Sequence, residues 1–159
     1  MKKYINLVIA LFILIGCANE DATSGWQELS LMEHGIPVKL KAPEGVEIKK
    51  MDFGTMKDIT IQKGDDYYIQ IYSADATTTE VVKVKEQQLS LLKENPYFAR
   101  VVSEDDNGFI YENKIDSTNL NYGFRYIEVK GDKEYIYQTG LIGSFTEEQV
   151  MKMYDAVKK

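Results

Sequence analysis

The connections between successive apolar segments of this chain are very short, and this feature constrains its fold most strongly. Residues 63–66 alone separate the segments 58–62 (DITIQ) and 67–73 (YYIQIYS), and residues 131–132 separate two later segments. Connections of this length allow only antiparallel pairing, because a parallel crossover needs a dozen or more residues. The chain is therefore expected to form a series of antiparallel hairpins.

Strand-like alternation of apolar and polar residues recurs along most of the chain. It predicts strands at 38–42, 46–50, 58–62, 67–73, 99–103, 109–114, 122–130 and 133–142. The turn residues 43–45 (PEG) lie between the first two, so 46–50 is expected to pair back onto 38–42.

Two segments instead carry apolar residues at helical spacing. The first spans about residues 78–94, where Thr77 and Glu80 have the spacing of a capping box and the Asn95-Pro96 pair ends the helix. The second spans about 146–158, where Thr146 and Gln149 repeat the capping pattern.

This order of elements predicts an α+β fold, an antiparallel β-sheet of about six to eight strands with the two helices packed against it. The stretches PVKLKAPEGVEI and FTEEQVMKMYDAVKK, with paired strands, a long helix and hairpins between them, resemble the Mog1/PsbP-like α/β fold over residues 36–159. Members of that fold include photosystem accessory proteins and a GTPase-binding protein. The resemblance implies a fold and assigns no functional residue.

The N-terminus has the features of an export signal. Lys2 and Lys3 precede an apolar run at 5–15 that would rise about 16 Å as a helix, roughly half of the hydrocarbon thickness of a bilayer. The run ends in Leu14-Ile15-Gly16-Cys17, which resembles the lipobox of bacterial lipoproteins. The resemblance implies that residues 1–16 are removed as a signal peptide and that Cys17 receives diacylglycerol; an ordinary secretory signal is the alternative.

The residues after Cys17 indicate where in the cell envelope the protein is expected to reside. Residues 17–25 are small and polar and are expected to form a flexible tether, followed by one domain over 26–159. The position after Cys17 is Ala18 rather than Asp, so the sorting habit of Gram-negative lipoproteins implies the outer membrane. Glu20 and Asp21 resemble the export signal of Bacteroidota surface lipoproteins, and both the periplasmic and the surface side remain open.

Charge and cysteine content exclude several classes of protein. Loss of Lys2 and Lys3 with the signal peptide changes the formal net charge from −6 to −8. Such a chain repels nucleic acids and anionic lipid headgroups. With one cysteine, no intramolecular disulfide can form.

Few residues point to catalysis. His34 is the single histidine, so neither a zinc site nor a histidine-dependent triad is expected. Residues 104–108 (EDDNG) supply oxygen ligands but lack the spacing of a calcium loop, and a solvated hairpin is the expected structure. We therefore expect no catalytic residue, metal or other cofactor.

Aromatic residues are abundant in the predicted strands. Tyr122, Phe124 and Tyr126 share one sheet face, where core packing accounts for them unless that face is uncovered and available to a partner. The leading hypothesis is a membrane-tethered envelope lipoprotein that acts as a non-catalytic binding or accessory module, with an envelope protein as partner. The alternatives are a small-ligand or glycan carrier with a pocket between sheet and helices, and a carboxylate-dependent hydrolase.

Overall fold

The computed structural model describes residues 22–158, and within them nine strands and two α-helices form. The strands are β1 (Gln27–Ser30), β2 (Lys39–Ala42), β3 (Glu47–Asp52), β4 (Lys57–Lys63), β5 (Tyr67–Asp75), β6 (Phe98–Glu104), β7 (Gly108–Lys114), β8 (Leu120–Lys130) and β9 (Lys133–Thr139). The helices are α1 (Val81–Lys93) and α2 (Glu147–Val157). No helix in residues 22–158 is both long and apolar enough to cross a membrane.

Seven of the strands form one sheet in the order β3-β4-β5-β9-β8-β7-β6, and every neighbouring pair is antiparallel. Strands β1 and β2 form a separate two-stranded hairpin. This arrangement confirms the α+β class and the antiparallel sheet that the short connections predict.

The pairing expected for segment 46–50 is wrong. Strand β3 pairs with β4, where Ile48 lies opposite Ile61, and β2 pairs with β1, where Leu40 lies opposite Leu29. The β1–β2 hairpin places Leu40 and Ala42 in the buried cluster that also contains residues of the seven-stranded sheet and of α2. The turn at 43–45 thus connects two different sheets.

The two helices cover opposite faces of the seven-stranded sheet. Helix α2 and the β1–β2 hairpin cover the first face, here called the α2 face, where the main core lies. Helix α1 covers part of the other face, the α1 face, where Leu92 packs with Phe109 and Tyr111 of β7. Each helix therefore has one side against the sheet and the other in solvent, although on α1 Lys85 is buried and Val82 and Leu91 are exposed.

The predicted start of the first helix is wrong, whereas the start of the second is confirmed. The N-cap residue of α1 is Glu80, and no side chain caps the helix. Ala76 N still donates to Asp132 O (2.8 Å), so the chain needs residues 77–80 to pass from the sheet onto the α1 face. At α2, Thr146 and Gln149 form the expected capping box.

The last part of the predicted tether is folded. Residues 22–25 form a turn in which Trp26 N donates to Thr23 O (3.0 Å). The Thr23 hydroxyl accepts a hydrogen bond from Lys41 Nζ (2.8 Å), and Thr23 is buried. The folded domain thus includes residues upstream of Trp26.

Candidate functional site

The predicted lipid-attachment residue, Cys17, lies outside the described residues, as do the predicted signal peptide over 1–16 and the first part of the tether. Lipid attachment at Cys17 stays a prediction from the sequence.

The aromatic face expected at Tyr122, Phe124 and Tyr126 is covered by α2. Phe124 is fully buried, and its ring centroid lies 5.7 Å from that of Tyr154 on α2. Tyr126 is also buried and lies 5.9 Å from the same ring, in edge-to-face geometry. Tyr122 is half-buried at the edge of this cluster. Core packing therefore accounts for these rings, and they do not form an open sheet face.

The acidic segment 104–108 forms the turn between β6 and β7. Asp105 Oδ1 accepts from the backbone nitrogens of Asn107 (3.1 Å) and Gly108 (3.0 Å), which is the Asx arrangement of such turns. Glu104 pairs with Lys85 of α1 at 2.9 Å. Residues 22–158 contain no group of three or more His, Cys, Asp or Glu side chains placed to hold a metal ion.

A small polar cavity lies on the α1 face, where the C-terminal end of α1 meets the ends of β7, β8 and β9. Its volume is about 220 Å³. The segment between β9 and α2 closes one side. The lining residues include Leu92, Asn95, Tyr111, Asn113, Asn121, Tyr122, Arg125, Gln138, Thr139 and Leu141.

Among the described residues that line this cavity, here called the Arg125 cavity, Arg125 is the one with a cationic side chain. It lies on β8 between Phe109 of β7 and Gln138 of β9 in the sheet register. Its guanidinium forms no hydrogen bond or ion pair with any residue of the range 22–158, and its Nε is buried without an acceptor. Burial lowers the pKa of the Arg125 guanidinium from its ordinary value. Because an arginine stays charged in proteins, this is a positive charge without an anion.

A buried acceptor without a donor lies in the same cavity. Asn113 Oδ1 on β7 is buried and has no hydrogen-bond partner. Buried polar groups are nearly always hydrogen-bonded, to protein or to bound molecules. Two residues that line the Arg125 cavity, Arg125 and Asn113, therefore each carry a buried polar atom without a hydrogen-bond partner.

Neighbouring polar groups on the α1 face form a buried chain of hydrogen bonds, in which Asp58 Oδ1 has no partner. Gln138 Nε2 donates to Gln70 Oε1 (2.9 Å), and Gln70 Nε2 donates to Asp58 Oδ2 (2.8 Å). This buried chain crosses β9, β5 and β4. Asp58, the acid of this chain, lies at its far end and forms no ion pair with Arg125.

A glycine shapes the wall of the Arg125 cavity. A Cβ atom at Gly123 would lie 2.4 Å from Tyr111 Oη and 2.5 Å from Tyr111 Cζ. The Tyr111 ring therefore lies directly over the β8 backbone, a close approach that only glycine permits. This packing places an aromatic wall two residues from Arg125.

Sequence reasoning missed Arg125. The available signal was its place in GFRYIEV, where Arg125 lies between the aromatic residues Phe124 and Tyr126 of a predicted strand. The sequence pattern could not show which residues of β7, β9 and α1 lie near Arg125.

Comparison with known proteins identifies no relative: no family model, no curated protein and no solved structure matches this chain.

Proposed function

We propose that this chain is a lipid-anchored protein of the bacterial cell envelope that binds a small carboxylate in the Arg125 cavity without catalysing a reaction. The observation that carries the binding proposal is that Arg125 Nε and Asn113 Oδ1, from two residues that line the same cavity, are both buried without a hydrogen-bond partner.

A carboxylate fits the unused groups of the cavity. Arginine presents several N–H donors in a planar fork that matches the two oxygens of a carboxylate. Asn113 Oδ1 would accept from an N–H or O–H group on the same ligand. Apolar and aromatic walls at Leu92 and Tyr111 would contact its carbon atoms.

Size and lining favour a binding site over an active site. A cavity of about 220 Å³ is smaller than the usual range for drug-sized ligands and suits a molecule of amino-acid size. Among the described residues that line it, none is Asp or Glu. Without a carboxylate in its lining, the cavity favours the carrier hypothesis over a carboxylate-dependent hydrolase.

Titration with small acids tests the binding proposal. The ¹⁵N-labelled chain beginning at Cys17 would be titrated with acetate, lactate and glycine, with methylammonium as the cationic control, while NMR follows the side-chain signals of Arg125 and Asn113. We expect saturable shifts with a carboxylate and none with methylammonium. The absence of saturable shifts with all three acids would overturn the proposal.

A matched pair of arginine variants locates the site. Arg125→Met should weaken carboxylate binding by at least about tenfold, because one charge-assisted pair contributes more than 1.4 kcal/mol. Arg100→Met removes the other arginine, which already pairs with Glu112 at 2.7 Å, and should leave binding unchanged. Equal weakening by both variants would contradict the assignment.

The lipid anchor rests on Leu14-Ile15-Gly16-Cys17 and the apolar run before it. Intact-mass spectrometry of protein extracted from its native host should find residues 1–16 absent and acyl chains on Cys17. A free thiol, or retention of residues 1–16, would overturn it. Outer-membrane residence and binding of an envelope protein stay predictions. The aromatic sheet face on which the second prediction was based is not available to a partner, because Phe124 and Tyr126 are buried.

A further inference from the structure

The described chain begins at the same end of the sheet as an exposed apolar loop. The Trp26 ring packs edge-to-face on Tyr67, the first residue of β5, with centroids 5.1 Å apart. On the next residue, Tyr68 O accepts from Gly140 N (2.9 Å), where the β9–α2 loop (residues 140–145) begins. We call the end of the sheet that contains the start of β5 and the end of β9 the N-terminal end of the sheet.

The β9–α2 loop exposes two adjacent apolar side chains. Leu141 is 74 % exposed and Ile142 is 81 % exposed. At the same end, Ile115 in the β7–β8 loop and Leu120 at the start of β8 are also exposed. Single apolar residues on a surface are ordinary, whereas two adjacent exposed apolar residues in one loop, with two more at the same end of the sheet, favour a contact surface there.

The base of the β9–α2 loop is fixed to the sheet. Phe145 N donates to Asn121 Oδ1 (2.9 Å), and Tyr122 N donates to Phe145 O (3.1 Å). The Phe145 ring is buried in the main core. The loop therefore ends on a buried, hydrogen-bonded residue just after the exposed Leu141–Ile142 pair.

The sequence limits how far this end can lie from an anchor at Cys17. Five residue steps separate Cys17 from Ala22, where the folded turn begins. A fully extended chain spans at most about 3.6 Å per residue, which gives a reach of about 18 Å. An anchored domain therefore keeps its N-terminal end within about 18 Å of the hydrocarbon, which is about two to three headgroup layers.

We infer that Leu141 and Ile142 insert into the phospholipid surface and hold the domain upright, with its N-terminal end against the bilayer. The inference rests on the proposed anchor at Cys17 and specifies how the anchored domain is oriented. Contact is apolar rather than electrostatic, because the chain beginning at Cys17 carries a net charge of −8 and is repelled by anionic headgroups. A protein partner at the same loop is the competing occupant.

A tryptophan scan on a chemically tethered chain tests the orientation. The chain beginning at Cys17 would be coupled through its sole thiol to a maleimide lipid in phosphatidylcholine vesicles. Ile142→Trp places a reporter in the loop. Met32→Trp is the matched control, because Met32 is also exposed (65 %) but lies just after β1 at the opposite end. Emission of the parent chain, which contains Trp26, would be subtracted.

Vesicles containing brominated phosphatidylcholine should quench more than half of the emission added by Ile142→Trp and almost none of that added by Met32→Trp. Equal quenching of both, or none at position 142, would overturn the inference, and the second result would favour a protein partner at the loop. Since the maleimide lipid supplies the tether, this result is independent of the mass measurement that tests lipid attachment in the native host.

Discussion

At the scale of single residues, the two arginines, Arg100 and Arg125, lie in different electrostatic environments. Arg100 Nη2 lies 2.7 Å from Glu112 Oε2 at the rim of the sheet. Arg125 lies among uncharged groups, and its Nε has no acceptor. Positions that serve a ligand are commonly not optimal for stability, since the same groups must stay available for binding.

Arg125→Met should therefore leave the free energy of unfolding unchanged or raise it by about 1 kcal/mol, because an unpaired buried charge is removed and the apolar stem is kept. Arg100→Met should lower it by about 1 kcal/mol, because Glu112 is then buried without its partner. Urea denaturation of both variants measures the difference. A loss at Arg125 larger than that at Arg100 would contradict the description of Arg125 as unpaired.

Asp116 in the β7–β8 loop makes stability depend on pH. Hydrogen bonds from the backbone nitrogens of Thr118 (2.8 Å) and Asn119 (2.9 Å), followed by their side chains, lower the pKa of Asp116 to about 2. Because the folded-state pKa lies below the unfolded value of about 3.9, the ionised carboxyl stabilises the fold above that value. This contribution is lost as the pH falls toward about 2.

The stability difference between the parent chain and Asp116→Asn should therefore be present near neutral pH and shrink as the solution is acidified through this window. Urea denaturation at a series of pH values measures it, and an NMR titration of the Asp116 carboxyl should give a midpoint of about 2. A difference that stays constant with pH would contradict the assignment.

At the scale of elements, the two helices begin in different ways. Thr146 and Gln149 bond reciprocally at the start of α2. At α1 the residues with the same spacing, Thr77 and Glu80, form no capping box, and the N-cap residue is Glu80.

Thr146→Ala should lower the free energy of unfolding by about 1 kcal/mol, because a backbone N–H at the start of α2 loses its acceptor. Thr77→Ala is the matched control and should change it by less than about 0.5 kcal/mol, because Thr77 is exposed and caps no helix. Thermal or urea denaturation separates the two. Equal losses would show that α1 also depends on a threonine cap.

At the scale of the whole molecule, the main core joins three layers. Met153 of α2 lies in it, together with residues of the sheet and of the β1–β2 hairpin. Its Sδ accepts from Tyr68 N of β5 at 3.3 Å. Met151, on the same helix, is half-exposed on the other side.

Met153→Ala should lower the free energy of unfolding by about 2–5 kcal/mol, because it leaves a cavity where α2 meets the sheet. Met151→Ala should lower it by less than about 0.5 kcal/mol. Similar losses in urea denaturation would contradict the packing of α2 on the sheet.

The sequence by itself determined the features that depend on neighbouring residues. The hairpin connections at 63–66 and 131–132, the cap of α2 at Thr146 and the antiparallel α+β class all follow from patterns a few residues long. These features form through local turn geometry and hydrogen bonds, so the residues that specify them are adjacent in the sequence.

Only the tertiary structure decided which surfaces meet. Strand β3 pairs with β4 rather than β2, α2 covers Phe124 and Tyr126, and Arg125 meets Asn113, Gln138 and Leu92 in one cavity. Strand partners, buried faces and unpaired charges depend on contacts between residues that are far apart in the chain. The periodicity of the sequence shows which face of a helix or strand is apolar. Which other element packs on that face depends on how all the apolar faces of the chain are buried together.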